Sequence, residues 1–169
     1  MAQFKNVRQL FENSEKIMFP YYKDDCFCDA KQCEQLFKDI LNQKKDNYFL
    51  GQMIFEKRNK KLYIIDGQQT LTTIFLLISS IVKTDTIKNP KRINETYIEK
   101  GMISFHSKES IIIKYFIAEL KKLSADEICK VLQTTENSMI NVFYASNRTE
   151  AKQIYNCISK RGSKIISKQ

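Results

Sequence analysis

The stretch YFLGQMIFEKRNKKLYIIDGQQTLTTIFLLISSIV, residues 48–82, decides the fold. Tyr48 to Glu56 is strand-like, and Leu62 to Ile65 reads as a second strand. Lys57, Arg58, Asn59 and Lys60 make a polar turn between them, so 48–65 should be a β-hairpin. Asp66-Gly67 ends the second strand. Beyond it Leu71, Ile74, Phe75, Ile78, Ile81 and Val82 recur at i, i+3, i+4, i+7, i+10 and i+11, which predicts a helix. That helix is apolar nearly all round and should be deeply buried. The implied class is α+β, a small sheet with hairpin 48–65 surrounded by several helices.

Outward from this centre, Phe4, Val7, Leu10 and Phe11 share one helical face and predict a short helix over 4–12. Lys16 to Tyr22 is short, apolar and interrupted by Pro20, as in an edge strand or extended segment. Cys33, Leu36, Phe37, Ile40 and Leu41 place a helix over 30–43. Residues 84–100 are polar, with a turn at Asn89-Pro90. Ile112, Ile113, Phe116, Ile117, Leu120 and Leu123 predict a helix over 109–123, and Ser124 with Glu127 forms a capping-box pattern for the next one. Met139 to Tyr144 is a third strand. A last helix opens at Thr149 and Glu150 and runs to about Ser159, where Arg161-Gly162 should stop it. There is no internal repeat and no low-complexity tract.

At 169 residues the chain suits a single domain with enough core to need no disulfide or metal staple. With 43% hydrophobic and 28% charged residues it is not globally disordered, and the absence of a glycine period or sustained heptad excludes collagen and coiled coil. Only 4 Gly and 2 Pro argue against a turn-rich all-β fold. The net charge is +9, from 28 basic and 19 acidic residues, which favours polyanions or simply a solvated surface. The last stretch is basic throughout, with Lys152, Lys160, Arg161, Lys164 and Lys168 and no acid after Glu150. The longest apolar run, Leu71 to Val82, is too short to span a bilayer and contains Thr and Ser. The N-terminus lacks the apolar core of a secretory signal, so the five irregularly spaced Cys read as reduced thiols of a cytoplasmic protein with no membrane association.

The densest chemical signal is the passage from strand through Asp66, Gly67, Gln68, Gln69 and Thr70 into a helix. The first turn of such a helix offers backbone N–H groups and a positive dipole end to an anion. Gly67 allows close backbone approach. Gln68 and Gln69 supply neutral donors and acceptors, and Thr70, Thr72 and Thr73 add hydroxyls. Asp66 can position a water or metal, or cap the helix. A plain Asp-Gly turn before a structural helix is the alternative. The spacing is not that of a Walker P-loop.

This region closely resembles the signature of the N-terminal domain of GmrSD-type modification-dependent restriction endonucleases. That family reads approximately FLGxIVL, a short turn, then IIDGQQRLTTLxLLL. Phe19-Pro20-Tyr21-Tyr22 matches the start of its IPxYQRxYxW segment, and TEAKQIYNCISKRGSKII, residues 149–166, matches AxxIFexINxRGxxLs. The resemblance spans residues 15–167. It implies a ParB/sulfiredoxin-like fold that binds and hydrolyses nucleoside triphosphates with Mg2+ and so regulates a DNA-restriction, anti-phage activity. Asp66, Gln68 and Gln69 would be catalytic. Tyr22, Lys23, Gly67, Thr70, Thr72, Thr73, Arg161 and Gly162 would bind the nucleotide, with no metal held by protein ligands alone. DNA cleavage in such systems belongs to an HNH-type nuclease domain or subunit. The chain has a single His, His106, so the expectation is a nucleotide-handling domain, truncated or lacking its nuclease.

The departures fall on polar positions. The motif Arg of DGQQR is Thr70, and the Gln-Arg after Tyr22 is Lys23-Asp24. The following aromatic positions are Cys26 and Cys28, and the Asn of INxRG is Ser159. Each phosphate-directed Arg is worth about 1.5–3 kcal/mol, so binding should weaken and catalysis fade while the pocket persists. The alternative is a non-catalytic DNA-binding or scaffold domain of the same fold, which contacts DNA through its basic C-terminal half. Separately, Lys57, Arg58, Lys60 and Lys61 at the hairpin tip are candidates to touch DNA phosphates, against the plainer reading of a tip charged for solubility. Cys26, Cys28 and Cys33 lack paired zinc spacing, His106 has no triad partner in sequence, and Asp24-Asp25 reads as a solvated loop.

Overall fold

The computed structural model describes residues 2–14, 16–19, 30–43, 47–102 and 107–166, with side chains at all of these except 102, 107–110 and 161–166. The elements run β1 (Ala2–Asn6), α1 (Val7–Glu12), β2 (Ile17–Met18), α2 (Ala30–Leu41), β3 (Phe49–Arg58), β4 (Lys61–Asp66) and α3 (Gln68–Val82). They continue as α4 (Pro90–Ile93), a π-helical turn (Asn94–Ile98), β5 (Gly101–Met102), α5 (Ser107–Leu120), α6 (Ala125–Asn137), β6 (Met139–Ala145) and α7 (Arg148–Ile166). The six strands form one mixed sheet in the order β1-β6-β3-β4-β2-β5. The hairpin β3–β4 is antiparallel, and β3 also runs parallel to β6. The α+β class and the hairpin stand as the sequence pattern implies.

Alternation along β3 sends neighbours to opposite faces of the sheet. Met53 and Phe55 join a large core with Ile64, Val142 and the helices α1, α2, α3, α5 and α6. Ile54 faces the other way, toward Ala145 and toward Ala151, Ile154 and Ile158 of α7. Every residue of α3 from Leu71 to Ile81 is buried, as expected for a helix apolar on all sides. No described helix is long and apolar enough to cross a membrane.

Three local expectations are corrected. Residues 4–6 belong to strand β1, because Asn6 ends the extended segment as a helix cap: its side chain accepts from the Gln9 N–H at 2.7 Å while the Gln9 side chain accepts from the Asn6 N–H at 3.0 Å. Strand β2 is not an edge; it lies between β4 and β5, parallel to both. Helix α7 continues through Arg161-Gly162 to Ile166. The segment 84–100, polar by composition, carries fully buried Ile93 and Tyr97. Arg92 grips the Glu136 carboxylate of α6 with two hydrogen bonds, 2.8 and 3.1 Å, and the Tyr97 hydroxyl donates to the same carboxylate at 2.7 Å. Burial, followed by the Glu136 charge, pushes the Tyr97 phenol well above its ordinary range.

Candidate functional site

Helix α3 starts at a tightly built turn. Gly67 caps it in the left-handed region at φ +86°, with no side chain satisfying the first N–H groups. A Cβ here would stand 2.6 Å from Met53 Cγ and 3.0 Å from the Gln52 carbonyl, so only glycine fits between β3 and the helix. The Gln68 amide folds back and donates to the carbonyl of Ile65 at 3.1 Å. The Thr73 hydroxyl donates to the Gln69 carbonyl at 2.8 Å and lies 3.6 Å from Cys33 Sγ of α2.

Beside this turn is a groove of about 310 Å³, lined by Gln69, Thr70 and Thr73 from α3, by Gln32, Gln35, Leu36 and Asp39 from α2, and by Tyr48 and Leu50. Asp39, the one carboxylate among its described lining residues, accepts from the Gln35 amide at 2.8 Å and the Tyr48 hydroxyl at 3.0 Å. Burial, with help from Asp39, raises the Tyr48 phenol above its ordinary value. Of the motif residues, Gln69, Thr70 and Thr73 reach the groove. Asp66, Gly67 and Gln68 form the turn behind it, and Thr72 is buried at 4% exposure. Tyr22 and Lys23 lie outside the described residues, and Arg161 and Gly162 fall where α7 is described by its backbone alone. Asp39, Gln35 and Tyr48 were not legible as site residues; the fold brings α2 and the residue before β3 to the side of α3.

A second, larger groove of about 610 Å³ lies at the other end of the hairpin. The two-residue turn Asn59-Lys60, at φ +51° and +60°, sets Arg58 and Lys61 opposite each other. Lys57, Arg58, Lys60 and Lys61 line this groove as a cluster, joined by Lys5 of β1 and by Tyr144 of β6. The Lys5 ammonium donates to the Tyr144 hydroxyl at 3.0 Å, and the Lys57 ammonium sits 4.2 Å from the centre of the same ring. The Arg58 guanidinium likewise covers Tyr63 at 4.3 Å. Lys5 was missed because β1 reads as helix by its apolar spacing.

Among the described residues no three His, Cys, Asp or Glu gather as metal ligands. Cys33 is buried in the core, while Cys129 and Cys157 are exposed thiols. Asp24, Asp25, Cys26, Cys28 and His106 lie outside the described residues.

A family model described as the GmrSD restriction endonuclease, N-terminal domain, matches residues 7–166. No curated protein and no solved structure matches the chain. The match begins with the first residue of α1 and ends with the last of α7, so it takes in the α3 groove and the tip groove except for Gln3 and Lys5. On that coverage, the chain belongs to the family of GmrSD restriction endonuclease N-terminal domains.

Proposed function

We propose that the chain is the nucleotide-handling, regulatory domain of a DNA-restriction system, and that it binds a nucleoside triphosphate in the groove beside α3. The observation that carries this reading is the uncapped start of α3 opening beside a groove of neutral hydrogen-bonding side chains. A helix N-terminus of this kind suits phosphate oxygens. Gln69 and Thr70 then contact the phosphates, and Gln68 acts as a positioning residue, because its amide holds the strand-to-helix turn. Asp66, at the end of β4, keeps the same supporting place.

Magnesium fits this donor set as an ion that arrives with the nucleotide. Mg2+ commonly takes one or two protein carboxylates and completes its shell with phosphates and water. Asp39 is the carboxylate available to it in the groove. The ion would neutralise phosphate charge that otherwise faces Asp39.

Thr70 stands where the family motif carries Arg, and a threonine hydroxyl cannot give a charged two-pronged phosphate contact. Binding is therefore weak and hydrolysis slow. Phosphate release from ATP, GTP, CTP and UTP with magnesium, compared between this chain and Thr70→Arg, tests the reading. Release should rise at least tenfold in Thr70→Arg for one nucleotide. An unchanged rate with all four, from a cooperatively folded variant, rejects it.

A second reading, a DNA-contacting domain, is favoured by a different observation, the basic groove at the hairpin tip.

A further inference from the structure

We infer that the hairpin-tip groove is a binding site for the phosphodiester backbone of duplex DNA, separate from the groove beside α3. Five cations line it: Lys5, Lys57, Arg58, Lys60 and Lys61. No carboxylate is among its described lining residues, and none of the five takes part in an ion pair among the described residues. Holding five like charges around one concavity opposes folding, and a polyanion relieves that repulsion. The chain's net charge of +9 adds long-range attraction in the same sense.

The aromatic rings argue for a duplex over a single strand. Proteins that grip single strands without sequence preference offer open aromatic faces on which bases stack. Here Lys57 lies over the Tyr144 ring and Arg58 over the Tyr63 ring. What the groove presents is ammonium and guanidinium groups, together with amides such as Gln3 and Asn13. That chemistry reads phosphate and sugar, which positions a duplex without reading its sequence.

The site's placement makes it separable. Lys61 starts β4 and Asp66 ends it, so the basic groove and the α3 turn are about 17 Å apart along one strand, at about 3.3 Å per residue. The inference rests on the DNA-contacting reading and not on the nucleotide reading, and its test contains no nucleotide.

The test is fluorescence anisotropy of the full chain with a labelled duplex of about 20 base pairs, and with the corresponding single strand, between 50 and 200 mM salt. The double variant K57Q/K61Q should bind the duplex at least tenfold more weakly. It should also flatten the log–log salt slope by about 2, at about 0.9 per phosphate contact. K130Q/K152Q removes the same charge from exposed positions on α6 and α7 and should lose less than threefold. Lys60→Gly removes one groove charge from a left-handed position that glycine adopts without strain, so it tests the site even where the double variant folds poorly. It should lose about threefold. Equal losses in the two double variants would reduce the effect to net charge and overturn the site. So would tighter binding of the single strand, or no binding of the duplex at 50 mM salt.

Discussion

The two ends of one β-hairpin have been built to opposite specifications. At the α3 end the turn needs a glycine, the helix begins uncapped, and the adjoining groove holds neutral amides and hydroxyls around one carboxylate. At the tip the turn does without glycine, although Asn59 and Lys60 both occupy the left-handed region, and the groove is lined by cations. Sterics govern the first end and charge governs the second. No Lys or Arg is among the described lining residues of the α3 groove, and the DGQQR Arg position there holds the neutral Thr70. On the proposed readings each anion finds its site by a different device: backbone N–H groups at one end, Lys and Arg side chains at the other.

The largest effect should come from Gly67→Ala. Left-handed backbone costs a non-glycine residue about 1–2 kcal/mol, and the contact with Met53 and the Gln52 carbonyl adds an overpacking cost of about 1–3 kcal/mol. Thermal melting should show a fall of several degrees or more, with the tip groove's DNA affinity unchanged in the folded fraction. Next is Glu136→Gln, which strips the charge from the pair with Arg92 and belongs to neither end. Removing one partner of a buried pair costs about 3–5 kcal/mol, and with Arg92 a third exposed about 2–4 kcal/mol is expected. It should lower the melting temperature without separating nucleotide from DNA binding.

Tyr97 supplies a pH test of the same layer. Its phenol is raised in the folded chain, first by burial, from an unfolded value of about 10. Below that value the phenol is neutral in both states and its contribution is whole. Above it the unfolded chain gives up the proton first, so stability falls as pH rises. Tyr97→Phe should be less stable by about 1.5–3 kcal/mol at neutral pH, through the lost bond to Glu136. It should also lose stability less steeply above pH 10 in denaturant titrations.

The smallest effect sharpens the comparison most. Lys60→Gly relieves a left-handed residue of about 1–2 kcal/mol, partly offset by a freer unfolded chain, and should raise stability by about 0.5–1 kcal/mol while weakening duplex binding. A fall in both would mean that the turn matters through its shape alone.

What was legible in the chain follows the range of the forces. The hairpin and α3 carry their own periodicity, and Gly67 announces its turn. Strand β1 was hidden because Phe4, Val7, Leu10 and Phe11 fit a helix, and the break at Asn6 depends on one reciprocal cap. Tyr97 sits in a polar segment and is buried by contact with Glu136, 39 residues away. Tertiary contacts of other spans hid half of each groove. Asp39 of α2 and Tyr48 just before β3 meet beside α3 only in the folded chain, and Lys5 reaches Tyr144 only because β1 pairs with β6.

On the proposed reading, nucleotide binds at the α3 end and not at the tip. Thermal melts with magnesium and each nucleoside triphosphate, run on the natural chain, Thr70→Arg and K57Q/K61Q, test it directly. A ligand at a hundred times its dissociation constant stabilises by about 2.7 kcal/mol, a shift of about 5–10 °C at this size. The expected result is a shift with one nucleotide that is kept in K57Q/K61Q and enlarged in Thr70→Arg. A shift lost in K57Q/K61Q and unmoved by Thr70→Arg would place the nucleotide among the tip cations and contradict the assignment.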